Sequence, residues 1–217
     1  MHRQTTVELY RYWNAIRGSR LAPRRFEIEP SDIAEYLPET LILEIDPDGA
    51  CRYRLAGTRL CEIYGREFRG TSFLDQWSEP DLTTLRRRLR LIKERGAVLR
   101  FEAELKTEAG RSAVFEFLIL PLVHASDRVD RMMGCIGPIE PIDWYGHDVV
   151  TSQKLGDFEF IWPETDQRSS RAVNASAHRP QDALDLPTIR HARIVRDNRR
   201  QFRVYNGGLS PTPFKDG

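Results

Sequence analysis

The chain has 217 residues, enough for one domain of ordinary size plus extensions, and its 40% hydrophobic and 10% aromatic content is that of a globular protein with one core. No run approaches the roughly 20 apolar residues of a membrane span, and the N-terminus lacks the continuous apolar stretch of a signal peptide. The net charge of +1 hides a split: residues 168–217 hold 10 Lys or Arg against 4 Asp or Glu, and residues 1–167 hold 23 against 28. A basic tail on a mildly acidic body points to tail docking or an acidic partner, and makes a nucleic-acid-binding domain a poor reading. Cys51, Cys61 and Cys135 form an odd set without C-x-x-C spacing, which argues against a disulfide framework or zinc knuckle and for a reducing, cytoplasmic compartment.

Residues 5–17 set Val7, Tyr10, Trp13 or Asn14, and Ile16 near helical spacing, with Leu9 and Tyr12 widening the apolar face. Gly18 ends this helix, and Pro23 keeps the next segment extended. Pro30 to Pro38 reads as a second short helix with Ser31 as its cap. Thr40 to Ile45 alternates as a first strand, the Asp46-Pro47-Asp48-Gly49 sequence supplies a turn, and Arg52 to Leu55 returns as a hairpin strand. Gly57-Thr58 interrupts that pattern, and a short helix carrying Leu60, Ile63 and Tyr64 should run from Thr58 to a left-handed Gly65. After Leu74 to Trp77, the recurrence of Leu82, Leu85, Leu89 and Ile92 specifies a strong amphipathic helix over residues 81–95. Leu99, Phe101, Ala103 and Leu105 then alternate with Arg100, Glu102 and Glu104, which places the charged set on a face open to water. Ala113, Phe115, Phe117 and Ile119 continue the pattern after a turn at Gly110, and Met132 to Gly137 is short enough for a last strand.

Two early strands, several helices and three late strands, with hairpins at each end, resemble a PAS domain over roughly residues 1–142. The stretch Tyr53 to Gly70 resembles the entry into that fold. Trp13 and Arg17, in Trp-x-x-x-Arg spacing, and Pro23-Arg24-Arg25 are similar to the N-terminal part of a stand-alone PAS subfamily of alphaproteobacteria. The resemblance implies an α+β fold with a five-stranded antiparallel sheet and flanking helices, divided as an N-terminal helical extension (1–38), a PAS domain (39–142) and a poorly ordered basic extension (143–217). It also implies a cytoplasmic regulatory sensor or adaptor in bacterial signal transduction, acting through protein contacts with a partner such as a histidine kinase. Homodimerisation through Tyr10 and Trp13 is expected, because a similar helix pairs protomers in many PAS proteins.

A ligand pocket is expected where the strand residues Tyr53, Leu55, Phe101, Phe115 and Phe117 face the helical Leu60, Tyr64, Leu85 and Leu89. Its apolar walls suit a neutral or weakly polar small molecule. The ordinary alternative is a filled core, which would make the protein a ligand-free oligomerisation scaffold. Haem is disfavoured because the helix over residues 81–95 has no histidine, and flavin because Cys61 lacks the flanking Asn, Arg and Gln of light-sensing relatives. No metal ligands or catalytic residues are singled out, since the five histidines do not cluster and no nucleophile or phosphate-loop motif is present. The chain is therefore read as a non-enzyme, with a cryptic site as a minor alternative. Arg196-Asp197-Asn198-Arg199-Arg200 has the Arg-x-x-x-Arg form of PilZ cyclic dinucleotide receptors, but a solvated basic tail is the preferred reading.

Overall fold

A computed structural model of the protein describes residues 1–163 except 47, 125 and 126. Helix α1 (Gln4–Arg17) is followed by 3₁₀ turns at Arg25–Glu27 and Pro30–Glu39, then β1 (Thr40–Ile45) and β2 (Cys51–Ala56). Helix α2 (Thr58–Tyr64), a 3₁₀ turn (Leu74–Gln76) and α3 (Glu79–Arg95) lead into β3 (Val98–Thr107), β4 (Ser112–Val123), β5 (Val129–Pro138) and β6 (Val150–Ile161). The strands form one antiparallel sheet in the order β2-β1-β5-β4-β3-β6. The α+β class and the early and late hairpins are as expected. Of the extension expected over residues 143–217, residues 143–163 are described; the remainder, with the Arg196–Arg200 motif, lies outside the described residues.

The strand count needs correction from five to six, because β6 continues the sheet beyond residue 142 by pairing with β3. Its inward residues Gln153 and Leu155 face Leu105 and Ala103, whereas Phe158 and Phe160 face Phe101 and Leu99. The pairing slips by one residue between these sets, so the strand changes phase in its middle. That slip erases the period-two signal by which a strand is recognised.

Local chemistry explains the helix ends. Gly57 caps α2, which begins at Thr58, and a Cβ there would stand 2.2 Å from the Pro38 carbonyl oxygen, so only glycine lets the chain pass. Gly65 and Gly96 close α2 and α3 in the left-handed conformation, with φ of 61° and 64°. At the second 3₁₀ turn Pro30 takes the first helical position after Glu29, which displaces the expected Ser31 cap.

The sheet is covered on both faces. Inner-facing Leu41, Leu43, Phe101, Phe117 and Met132 join Leu60 of α2 and Leu85, Leu89 and Ile92 of α3 in the larger core. The outer face carries Val98, Leu118, Leu120, Leu122, Met133 and Cys135, packed against Leu9 and Trp13 of α1 and against Ile28 and Ile33. The charged face of β3 is therefore not the open surface that its alternation suggested. Arg100 and its β4 neighbour Glu116 are buried, Glu102 is half-buried, and only Glu104 is exposed.

Trp13 is fully buried on its own sheet, where its indole N–H donates to the Pro121 carbonyl at 2.8 Å. Tyr10 stacks on it at 6.2 Å between ring centres. The expected dimer contact through Trp13 is thus corrected: α1 turns its strongest apolar group inward, because an outer sheet face this rich in Leu must itself be covered. Arg17 lies over the Trp13 ring at 5.5 Å and donates to the Pro163 carbonyl at 3.0 Å, so the Trp-x-x-x-Arg pair fastens α1 to the chain after β6.

The N-terminal end of α1 is held by charge. The Glu116 carboxylate accepts from the His2 amide at 2.8 Å, the Arg3 amide at 3.2 Å and Arg100 Nε at 2.8 Å. Arg100 also bonds Glu102. Glu39 bridges Arg3 and Arg59, each at 2.6 Å, and so connects the start of α1 to α2. Burial alone would raise the Glu116 carboxyl, but the hydrogen bonds from His2, Arg100, Thr6 and Arg3 outweigh it and hold it below the ordinary carboxylate range. A depressed carboxyl stabilises the folded state above its unfolded value and loses that contribution as pH falls through the folded value. Glu116→Gln is expected to cost roughly 2–3 kcal/mol at neutral pH. Urea unfolding between about pH 7 and pH 3 should show a flatter acid limb for the variant than for the parent.

Candidate ligand and partner site

The expected pocket residues converge, with one exception, on a solid interior. Tyr53, Leu60, Leu85, Leu89, Phe101, Phe115 and Phe117 are all buried in one cluster, with Tyr64 half-buried against it. Leu55 is not among them: it is 42% exposed and points away. The cause is a bulge in β2, where Ile42 pairs with Leu55 but Leu43 pairs with Tyr53, leaving Arg54 extra and reversing the faces beyond it.

Between the two expected walls lie side chains that strand and helix periodicity does not place. Phe68, Phe73 and Trp77 enter from the connections around α2 and the 3₁₀ turn and occupy the centre. Phe101 and Phe117 stack at 4.5 Å, and Trp77 meets them at 5.9 and 5.8 Å. Tyr53 contacts Phe68 at 4.8 Å and Phe73 at 5.8 Å. Burial raises the Tyr53 hydroxyl well above its ordinary range, and it accepts a hydrogen bond from Gln76 Nε2 at 3.0 Å. The available sequence signal was the density of Tyr64, Phe68, Phe73 and Trp77 in a stretch without regular period.

A cavity of about 680 Å³ opens instead at the hairpin end of α3. Ile45, Leu74, Leu82, Leu89 and Met132 form its apolar floor, and Arg86, Arg90, Lys93, Asp48, Asp75 and Glu94 its charged rim. Of the expected pocket residues only Leu89 reaches it. Arg86, Arg90 and Lys93 recur along one stripe of α3, and Arg90 is already paired with Glu94 at 2.6 Å. Cys51 on this wall is a protonated thiol, pushed up to about 11 by burial despite nearby Lys93.

Beside a cavity of about 500 Å³ lined by Asp81, Glu104, Lys106, Gln153 and Lys154, two smaller cavities flank the inner core. One of about 470 Å³ adjoins Arg3, Glu39, Arg59 and Tyr145, whose hydroxyl burial pushes up to about 12. The other, about 310 Å³, lies between Tyr64, Gln76 and Gln153. Cys61 is half-buried with its sulfur 3.8 Å from a Glu67 carboxylate oxygen, and burial together with Glu67 raises its thiol and keeps it protonated. Among the described residues no group of three His, Cys, Asp or Glu side chains is arranged to hold a metal ion.

A family model described as PAS domain matches residues 1–137. The chain belongs to the PAS domain family. No curated protein matches it. PAS domains are typically sensory and regulatory modules, which gives this chain a place in signalling. The matched segment ends within β5, so β6 lies beyond it. Among the described residues no helix is long and apolar enough to cross a membrane.

A filled PAS interior and an open groove make opposite demands on truncation. Phe117→Ala is expected to cost about 3–5 kcal/mol, because it removes a stacked ring from a close-packed centre. Leu82→Ala, at the half-open groove, should cost less than about 1.5 kcal/mol because little cavity is enclosed. Chemical denaturation of the two variants beside the parent checks the contrast.

Proposed function

We propose that this PAS domain is a cytoplasmic regulatory adaptor of bacterial signal transduction, whose output is a contact with a signalling protein such as a histidine kinase. The observation that carries the reading is the contrast between a core filled by Trp77, Phe101 and Phe117 and an open groove with an apolar floor beside α3. Small-molecule sensing inside the sheet would require the stacked rings to separate. Protein recognition at the groove requires no such rearrangement. Leu82, Leu89 and Met132 supply apolar contact, and the alternating charges of Arg86, Lys93, Asp48 and Asp75 select register. Dimerisation through Trp13 plays no part in the proposal, since that side chain is committed to its own sheet.

A photo-crosslinking residue placed at Arg86 in the full chain, in its native cells, is expected to capture a two-component signalling protein. The same residue placed at Glu159 on β6 should not. Absence of an adduct at Arg86, together with a small molecule retained by the purified protein in native mass spectrometry, would replace the adaptor with a ligand sensor.

A further inference from the structure

We propose that the cavity between α2, the Leu74–Gln76 turn and β6 is a binding site for a small carboxylic acid bearing a second hydrogen-bond donor, of the size of an amino or hydroxy acid. The site is separate in function from the groove beside α3, with which it shares Asp75. It combines Tyr64, Arg66, Asp75 and Gln76, inside the segment that matches the PAS family model, with β6, which lies beyond it.

The decisive residue is Gln153. Its side chain is less than a tenth exposed, and pairing with Leu105 on β3 fixes its position on the inner face. Its Oε1 accepts the Tyr64 hydroxyl, while its Nε2 is buried without a hydrogen-bond partner. A buried amide donor left unmatched is costly, and native proteins match such groups with protein, water or ligand. The cavity beside it, about 310 Å³, has the volume of about ten waters, ample for a small metabolite but at the bottom of the range for larger ligands.

The lining selects the charge pattern. Arg66, its guanidinium 4.9 Å from the Phe68 ring centre, contributes positive charge to the cavity lining, so an acceptor with negative charge is favoured there. Asp75 on the same lining disfavours a bare anion but accepts from a hydroxyl or ammonium. A carboxylate with an adjacent donor satisfies both. A simple cation would leave Gln153 Nε2 unmatched and would face Arg66.

Contacts from this cavity reach the centre of the domain. Tyr64 meets Phe68 edge-on at 5.3 Å, Phe68 meets Tyr53 at 4.8 Å, and Gln76, which also lines the cavity, donates to the Tyr53 hydroxyl. An occupant that hydrogen-bonds Gln153 therefore presses on Tyr53 from two sides without opening the aromatic core.

The test uses the full chain titrated with acetate, glycine, malate and glutamate, followed by thermal unfolding and by NMR of the Gln153 side-chain amide. Malate or glutamate is expected to raise the melting temperature and to shift the Gln153 amide resonances, with acetate weaker. Gln153→Leu should weaken that binding about tenfold. Arg66→Gln, at an exposed position, should weaken it as well. Gln153 resonances unmoved by every probe would overturn the proposal. So would a Gln153→Leu protein that binds as the parent does, or one that is merely more stable and insensitive to probes the parent also ignores.

Discussion

The buried carboxylate of Glu116 is the constraint on which the two-sided packing of the sheet depends. It sits in a central strand, with no exposure to solvent, and its charge is tolerable only because Arg100 and the amides of His2 and Arg3, just before α1, meet it. The helix is thus held twice, by the apolar faces of Leu9 and Trp13 and by a carboxylate that binds the His2 and Arg3 amides leading into it. An apolar residue at 116 would leave Arg100 to Glu102 alone and would remove the feature that fixes where along the sheet α1 begins. Position along the sheet is therefore specified by a polar contact, while the attraction itself is hydrophobic.

Covering the outer face with the chain's own helix has a consequence for function. A PAS sheet whose outer surface is spent on α1 and whose inner surface is filled by aromatic rings has its remaining recognition chemistry at the sheet's ends. The groove at the hairpin end and the polar cavity at the β6 edge are at opposite sides of the strand order β2-β1-β5-β4-β3-β6. Each takes part of its lining from the Leu74–Gln76 turn, which supplies Leu74 and Asp75 to one and Asp75 and Gln76 to the other. This short turn carries Trp77 next to it, and Trp77 contacts both Phe101 and Phe117. The turn therefore borders both cavities and, through Trp77, the core rings.

Much of the fold was legible because its elements obey their periods. The helix over residues 81–95, the hairpins and the left-handed glycines at 65 and 96 all follow from spacing and from the steric freedom of glycine. The pocket wall was legible to the extent that inward residues of β3 and β4 do share a face with α3. What failed did so at irregularities. Leu55 was misplaced by one extra residue in β2, and β6 was missed through one phase slip opposite β3. Neither bulge leaves a mark in residue type that alternation can detect. The filling of the interior was missed for a different reason: Phe68 and Phe73 come from connecting segments, whose side chains obey no period.

The same irregularity that hid β6 also creates its chemistry. In strict register with Gln153 and Leu155, β6 would place Asp157 opposite Phe101 and Glu159 opposite Leu99, and the slip brings Phe158 and Phe160 there instead. The slip near Gly156, where a Cβ would approach the Glu102 carbonyl oxygen to 3.2 Å, separates an aromatic half at Phe158 and Phe160 from a polar half at Gln153. The aromatic half receives the Arg88 guanidinium, 3.3 Å from the Phe158 ring centre, and burial there lowers that arginine to about 10. The polar half receives the Tyr64 hydroxyl and retains an amide donor without an acceptor. One edge strand thus extends the apolar core at one end and interrupts it with a buried hydrogen-bonding group at the other, and the interruption falls where α2 and the 3₁₀ turn leave space for a ligand to complete it.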